Sequence, residues 1–180
     1  MCLSRHMLWL AIPAFVISMA GCAVNPGVRT STKPNASLVY GFFDMKESPY
    51  ALQTVTITQN EKVGIVYRQS IMTTYTDGLF FMENLPPMKY HVPFFRAGNV
   101  MHVLSSDERD LFTVAPATMV YLGAFRYRDP KKGGIFTTKK FEMRPVKKPG
   151  EAEVLRLLAG RVKDTRWKKR IRARLRELNR

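Results

Sequence analysis

Cysteine is almost missing from this 180-residue chain, which has only Cys2 and Cys22. No cysteine follows Cys22, so a disulfide framework, a thiol nucleophile in the body of the chain and cysteine-based metal ligation are all excluded. Histidine is scarce too. His6 stands near the N-terminus, while His91 and His102 lack the paired spacing of a zinc site and read as structural or surface residues. No Gly-x-Ser-x-Gly elbow and no phosphate-cradling glycine loop occurs. Acidic residues number 14 against 29 Lys and Arg. The one acidic cluster, Asp107-Glu108-Arg109-Asp110, reads as a solvated loop, because a calcium loop alternates oxygen ligands around a glycine. Apolar runs are also short, none reaching the roughly 20 residues of a membrane-spanning helix. These absences leave no metal or cofactor to expect, and the expectation is a protein that is not an enzyme.

What is present begins at the N-terminus. Residues Met7 to Gly21 carry no charge, and Arg5 precedes them. A basic head, an apolar run of roughly 7–15 residues and then small residues is the layout of an export signal. Pro13 inside the run argues further against a membrane span. The run ends in Met19-Ala20-Gly21-Cys22, which resembles the lipobox of bacterial lipoproteins, with Met19 where Leu is usual. The resemblance implies residues 1–21 as a lipoprotein signal peptide. It also implies a diacylglycerol on the Cys22 thiol, cleavage before Cys22 and an N-acyl chain on the new amine. Ordinary cleavage after Ala23 is the alternative. Cys22 would be the lone thiol of the processed chain, and lipidation gives it a use. Two or more acyl chains anchor stably, at about 0.8 kcal/mol per buried methylene. Ala23 following the cysteine, where Asp would be a retention signal, implies the outer membrane, facing the periplasm.

Residues 22–36 are rich in Pro, Gly, Ser, Thr and Asn and read as a lipidated tether. As a random coil, Ala23 to Asn35 would span roughly 20 Å. Residues 37–145 then change character. Gln53 to Gln59 alternates strictly, with Val55 and Ile57 on one face and threonines on the other. Other expected strands are Leu38–Phe43, Ile71–Tyr75, Leu79–Met82, Met88–Phe95, Val100–Leu104, Leu111–Val114, Thr118–Tyr127 and Ile135–Met143. Turn signals separate them at Asp77-Gly78, Pro86-Pro87, Ala97-Gly98-Asn99, Asp129-Pro130 and Gly133-Gly134. Many short strands without intervening helical pattern predict a β-sandwich or barrel.

Residues 149–180 change character again, to a pair of basic amphipathic helices. Glu151 and Glu153 place negative charge in a first helical turn. Val154, Leu155, Leu157, Leu158 and Val162 fall on one side. Asp164 or Thr165 can cap a second helix with a narrow stripe of Trp167, Ile171, Leu175 and Leu178.

Within the strand region, Thr76-Asp77-Gly78-Leu79-Phe80-Phe81-Met82-Glu83-Asn84-Leu85-Pro86-Pro87-Met88-Lys89-Tyr90 resembles a motif of the transthyretin-like sandwiches, closest to the carboxypeptidase regulatory-like group. Met88 stands where that group has Gly. In physical terms, Asp77-Gly78 turns the chain, Phe80 and Met82 alternate with Phe81, Leu85 tucks under a corner, and the prolines fix the approach to the strand of Tyr90. The resemblance implies a prealbumin-like Greek-key β-sandwich of seven to nine strands, of a kind that stabilises, spaces or binds. Its enzymatic branch, the hydroxyisourate hydrolases, relies on a C-terminal Tyr-Arg-Gly-Ser, and this chain ends Glu177-Leu178-Asn179-Arg180.

Charge is the remaining signal. The formal net charge is +15, and the 37 residues from Arg144 onward contribute fourteen Lys or Arg against four Asp or Glu. Arg166, Lys168, Lys169, Arg170, Arg172, Arg174 and Arg176 surround the stripe of the last helix. They read either as a solvated face or as an anion-binding surface for phospholipid headgroups or another acidic envelope polymer. Nucleic acid is not expected as a partner, because export removes the tail from the cytoplasm. The expected function is a lipid-anchored, non-catalytic binding or scaffolding module of the bacterial envelope, partnered by the membrane and by an envelope protein or anionic polymer. The alternatives are a binder of anionic membranes acting through the last helix, and a small transthyretin-like hydrolase using His91 or His102.

Overall fold

The computed structural model describes residues 34–63, 66–104, 111–128 and 142–180. Among them are nine strands: β1 Ser37–Asp44, β2 Leu52–Val63, β3 Val66–Thr74, β4 Leu79–Leu85, β5 Met88–Ala97, β6 Val100–Val103, β7 Phe112–Val114, β8 Met119–Arg128 and β9 Glu142–Pro145. Helices α1, Glu151–Ala159, and α2, Thr165–Leu178, follow. The molecule is mainly β, with both helices at the C-terminal end. Asp107 to Asp110 and the expected strand residues 135–141 lie outside the described residues.

The strands form one sheet in the order β6-β5-β2-β3-β4-β1-β8-β9, with β7 added on β5. Neighbours are antiparallel except β1 and β8, which run parallel. The sheet curls at β3. The body of that strand pairs with β2, while Thr73 and Thr74 pair with Phe81 and Phe80 of β4. The curl brings its two wings over a shared core containing Val39, Phe43, Val55, Ile57, Met72, Phe80, Met82, Phe95 and Tyr127. Phe43 sits at its centre, with ring centroids 4.7 Å from Phe80 and 5.1 Å from Phe95, within the range where aromatic pairs attract.

Strands β1 and β4 are buried on both faces, which explains why they read as continuous apolar runs. Successive side chains point to opposite sides of a strand. Val39, Phe43, Phe80 and Met82 therefore enter the core between the wings, while Leu38, Tyr40, Leu79 and Phe81 face the helices. On that outer face they meet Val154, Leu155, Leu158, Val162, Trp167 and Ile171. Two residues of the expected apolar stripes are exposed, Leu157 at 39% and Leu178 at 37%. Leu157 lies at the rim of its apolar arc, whereas Leu178 is mid-stripe but the last residue of α2, well beyond the buried Trp167 and Ile171. In β2, the threonine side is covered as well as the valine side, for Thr56 and Thr58 are buried.

The corners follow local chemistry. Gly78 has φ of +98°, a left-handed conformation open to glycine, and its carbonyl accepts the Phe43 N–H at 2.9 Å. The Asp77 carboxylate accepts the Leu79 N–H at 3.1 Å, closing the turn. At the next corner Leu85 is buried, and the Tyr90 hydroxyl donates to the Pro86 carbonyl at 2.9 Å.

Candidate functional site

The basic segment is helical for reasons visible in its own residues. The Glu153 carboxylate accepts the Gly150 N–H at 2.7 Å, and the Asp164 carboxylate accepts the Arg166 N–H at 2.8 Å. Each satisfies a donor that the first helical turn leaves without an intrahelical partner. Trp167, fully buried, pins α2 to the sheet. The guanidinium groups of Arg166 and Arg170 lie 4.5 and 5.3 Å from its ring centroid, close enough for cation–π attraction.

The seven basic residues of α2 do not act alike. Arg166, Arg170 and Arg174 recur every four residues and so share one side of the helix, and that side is tied to the body. Arg166 donates to the Asn84 side-chain oxygen at 2.8 Å, and Arg170 donates to the carbonyl of Ala117. Arg174 forks onto both carboxylate oxygens of Glu151, at 3.0 Å each, and reaches Glu177 at 3.2 Å. Glu151 also accepts the Tyr40 hydroxyl at 2.8 Å, so one carboxylate joins β1, α1 and α2.

Lys169, Arg172 and Arg176 are spaced by three and four residues and occupy the opposite, outward face. All three are exposed, and among the described residues no carboxylate pairs with them. Lys168 is half-buried at the margin. The structure thus divides the basic set into a structural side and a free cationic face. Cys22 lies outside the described residues.

Electrostatics follow this wiring. Burial works to raise the Glu151 carboxyl, but hydrogen bonds from Arg174 and Tyr40 outweigh it and hold the group below the usual carboxylate range. The same contacts hold the Arg174 guanidinium above its ordinary value. Burial and the Glu151 hydrogen bond push the Tyr40 phenol well up. Glu83, beside the start of α2, is raised by burial and then by the Asp164 charge.

Around Asp44, at the far end of β1, an open cleft of about 710 Å³ is lined by Asp44, Lys46, Tyr50, Arg126, Lys148 and Glu153, among others. Its central charges neutralise each other: Arg126 donates to Asp44 at 3.0 Å, and the Lys46 N–H bonds the other carboxylate oxygen at 3.2 Å. The lining includes neither histidine nor cysteine. His102 stands away from the cleft in β6. Its ring stacks on Phe95 at 4.8 Å and meets the edge of Tyr127 at 5.5 Å, and burial lowers its pKa. His91, on β5 opposite Thr58, is half-buried. Among the described residues no cluster of three or more His, Cys, Asp or Glu could hold a metal ion, and no helix is long and apolar enough to cross a membrane.

No family model matches the chain, and no curated protein matches it. A solved structure that does match is the crystal structure of a leucine-rich repeat protein from Bacteroides thetaiotaomicron. The match has 15% identity and a TM-score of 0.31, and covers 53% of this chain and 12% of that one. The likeness is too slight to fix either fold or function.

The partners that sort the arginines carry no local signal in the sequence. Arg174 and Glu151 are 23 residues apart, Arg166 and Asn84 are 82 apart, and Tyr40 and Glu151 are 111 apart. Helical spacing alone could have separated the two sides of α2, since the free face is the one opposite Trp167.

Proposed function

We propose that this chain is a lipid-anchored protein of the bacterial envelope, a non-catalytic binding or scaffolding module held at the outer membrane, facing the periplasm, through acyl chains on Cys22. The observation that carries the reading is the sequence Met19-Ala20-Gly21-Cys22 closing an uncharged apolar run. A short polar segment follows, and the first strand starts at Ser37. The domain on the anchor is a prealbumin-like Greek-key sandwich. Supporting this reading, β2, β3 and β4 are consecutive antiparallel neighbours, and β1 lies antiparallel beside β4 instead of beside β2, a crossover of the kind Greek keys use. The Asp77-Gly78 turn and the Tyr90 bond to Pro86 give that motif its physical basis.

The test is the intact mass and N-terminal residue of the protein purified from its native membrane. The expected product begins at Cys22 and is heavier than its amino acids by a diacylglycerol and an N-acyl chain, and Cys22→Ala abolishes both the added mass and membrane retention. A native product that begins elsewhere, or that weighs no more than its amino acids, refutes the anchor.

A second reading is favoured by the outward face of α2, whose exposed Lys169, Arg172 and Arg176 have no acidic partner among the described residues. It is an anion-binding surface for acidic headgroups or an acidic envelope polymer.

A further inference from the structure

Asn35, where the tether meets the body, and helix α2 share a neighbour. The Asn35 carbonyl accepts the Ala117 N–H at 2.9 Å, and the Ala117 carbonyl accepts the guanidinium of Arg170. Two further contacts fix the same end of the molecule. Ser37 donates to the Ala115 carbonyl at 2.7 Å and accepts the Thr118 N–H at 2.9 Å. Arg166 holds Asn84, whose neighbour Leu85 pairs with Ser37. The first half of α2 therefore lies across the end of the sheet from which the tether leaves. The cleft around Asp44 is at the other end of β1, about 23 Å away at the usual rise per strand residue.

We propose that the anchor and the basic helix engage one membrane, with Lys169, Arg172 and Arg176 lying on anionic phospholipid headgroups next to the point where the tether enters the body. The inference rests on the lipid-anchored reading above and adds an orientation to it. Thirteen residues, Ala23 to Asn35, separate the lipidated cysteine from β1's approach, and no chain of that length can span more than about 45 Å. The body is therefore held within reach of the headgroups, with α2 beside the point of attachment. The side of α2 carrying Arg166, Arg170 and Arg174 is occupied by the body. The outward residues keep their charge available for the membrane. Near an anionic leaflet each such charge favours the bound orientation by roughly five-fold, and three by on the order of 100-fold, an effect that salt screens.

The experiment uses the native lipidated protein carrying Thr165→Cys, labelled at that thiol with an environment-sensitive dye. Thr165 is exposed on the outward side of α2, and acylation of Cys22 leaves it the only reactive thiol of the processed chain. The protein is reconstituted into vesicles of phosphatidylcholine alone or with about one-third phosphatidylglycerol, each containing a headgroup-linked quencher. The expected result is equal retention on both vesicles, but quenching at least five-fold stronger on the anionic ones, abolished by molar salt. The same protein with Lys169→Gln, Arg172→Gln and Arg176→Gln should lose this difference while its Trp167 fluorescence stays that of the parent. Equal quenching on the two vesicles, or a difference that survives the triple change, overturns the orientation while leaving the anchor standing. A mass without acyl chains overturns the anchor, and this inference with it.

Discussion

Replacing Trp167 with alanine tests how the C-terminal helices are held. The indole is fully buried among Leu38, Tyr40, Leu79, Phe81, Val154, Leu158 and Ile171. Removing so large a buried ring costs about 3–5 kcal/mol through lost transfer energy and the cavity left behind. The Arg166 and Arg170 guanidinium groups also lose the ring beneath them, which places the cost toward the upper half of that range. A domain of this size has roughly 5–15 kcal/mol of stability in all, so the variant should retain at most about three-quarters of it. At roughly 2–4 °C per kcal/mol, the melting temperature should fall by about 8–20 °C, followed by far-ultraviolet circular dichroism. Trp167→Phe supplies the internal control. It keeps an aromatic ring in the site and removes the indole N–H, a buried donor with no hydrogen-bond partner, so it should lose less than half as much. A Trp167→Ala protein that melts within about 2 °C of the parent, a change of under 1 kcal/mol, would refute the claim that this ring docks α2.

Acid should loosen the junction of β1, α1 and α2. The folded state holds Glu151 below its ordinary value, so its contribution is fully present above the unfolded carboxyl value, near 4.3, and is lost as pH falls through the lower folded value. Glu151→Gln should cost about 1 kcal/mol near neutrality and flatten the acid limb of a stability-against-pH curve; an unchanged limb would contradict the network. Gly78→Ala should cost about 2–3 kcal/mol by denaturant melting, because φ is +98° and the new methyl would fall on the Phe43 carbonyl oxygen. A neutral outcome there would mean that the turn is not held left-handed.

Much of the strand region was legible because both kinds of information it needs are local. Alternation of Val55 and Ile57 marked β2, and Asp77-Gly78 marked the turn before β4, whose Phe80 and Phe81 do part to opposite faces. The strand limits were less legible. β2 runs on to Val63 and β3 begins at Val66, where Asn60, Glu61 and Lys62 gave no apolar pattern, since the pairing there comes from the neighbouring strand. The helix stripes were legible through their 3.6-residue period, but two of their members, Leu157 and Leu178, stay exposed. Periodicity gives the angular width of an apolar face, not how much of it a neighbour covers.

The candidate site divides in the same way. Cys22 and the seven basic residues could be picked out from residue type and spacing. Helical spacing could set Lys169, Arg172 and Arg176 opposite Trp167, but nothing local could tell which distant groups Arg166, Arg170 and Arg174 would bind. Covalent neighbours alone set the apolar run before Cys22, the turn glycine at 78 and the helical period of α2, so the sequence determined those by itself. Only the folded chain could decide that Ala117 touches both the root of the tether and Arg170, because such contacts join residues tens of positions apart and exist only once the sheet has curled and the helices have closed over it.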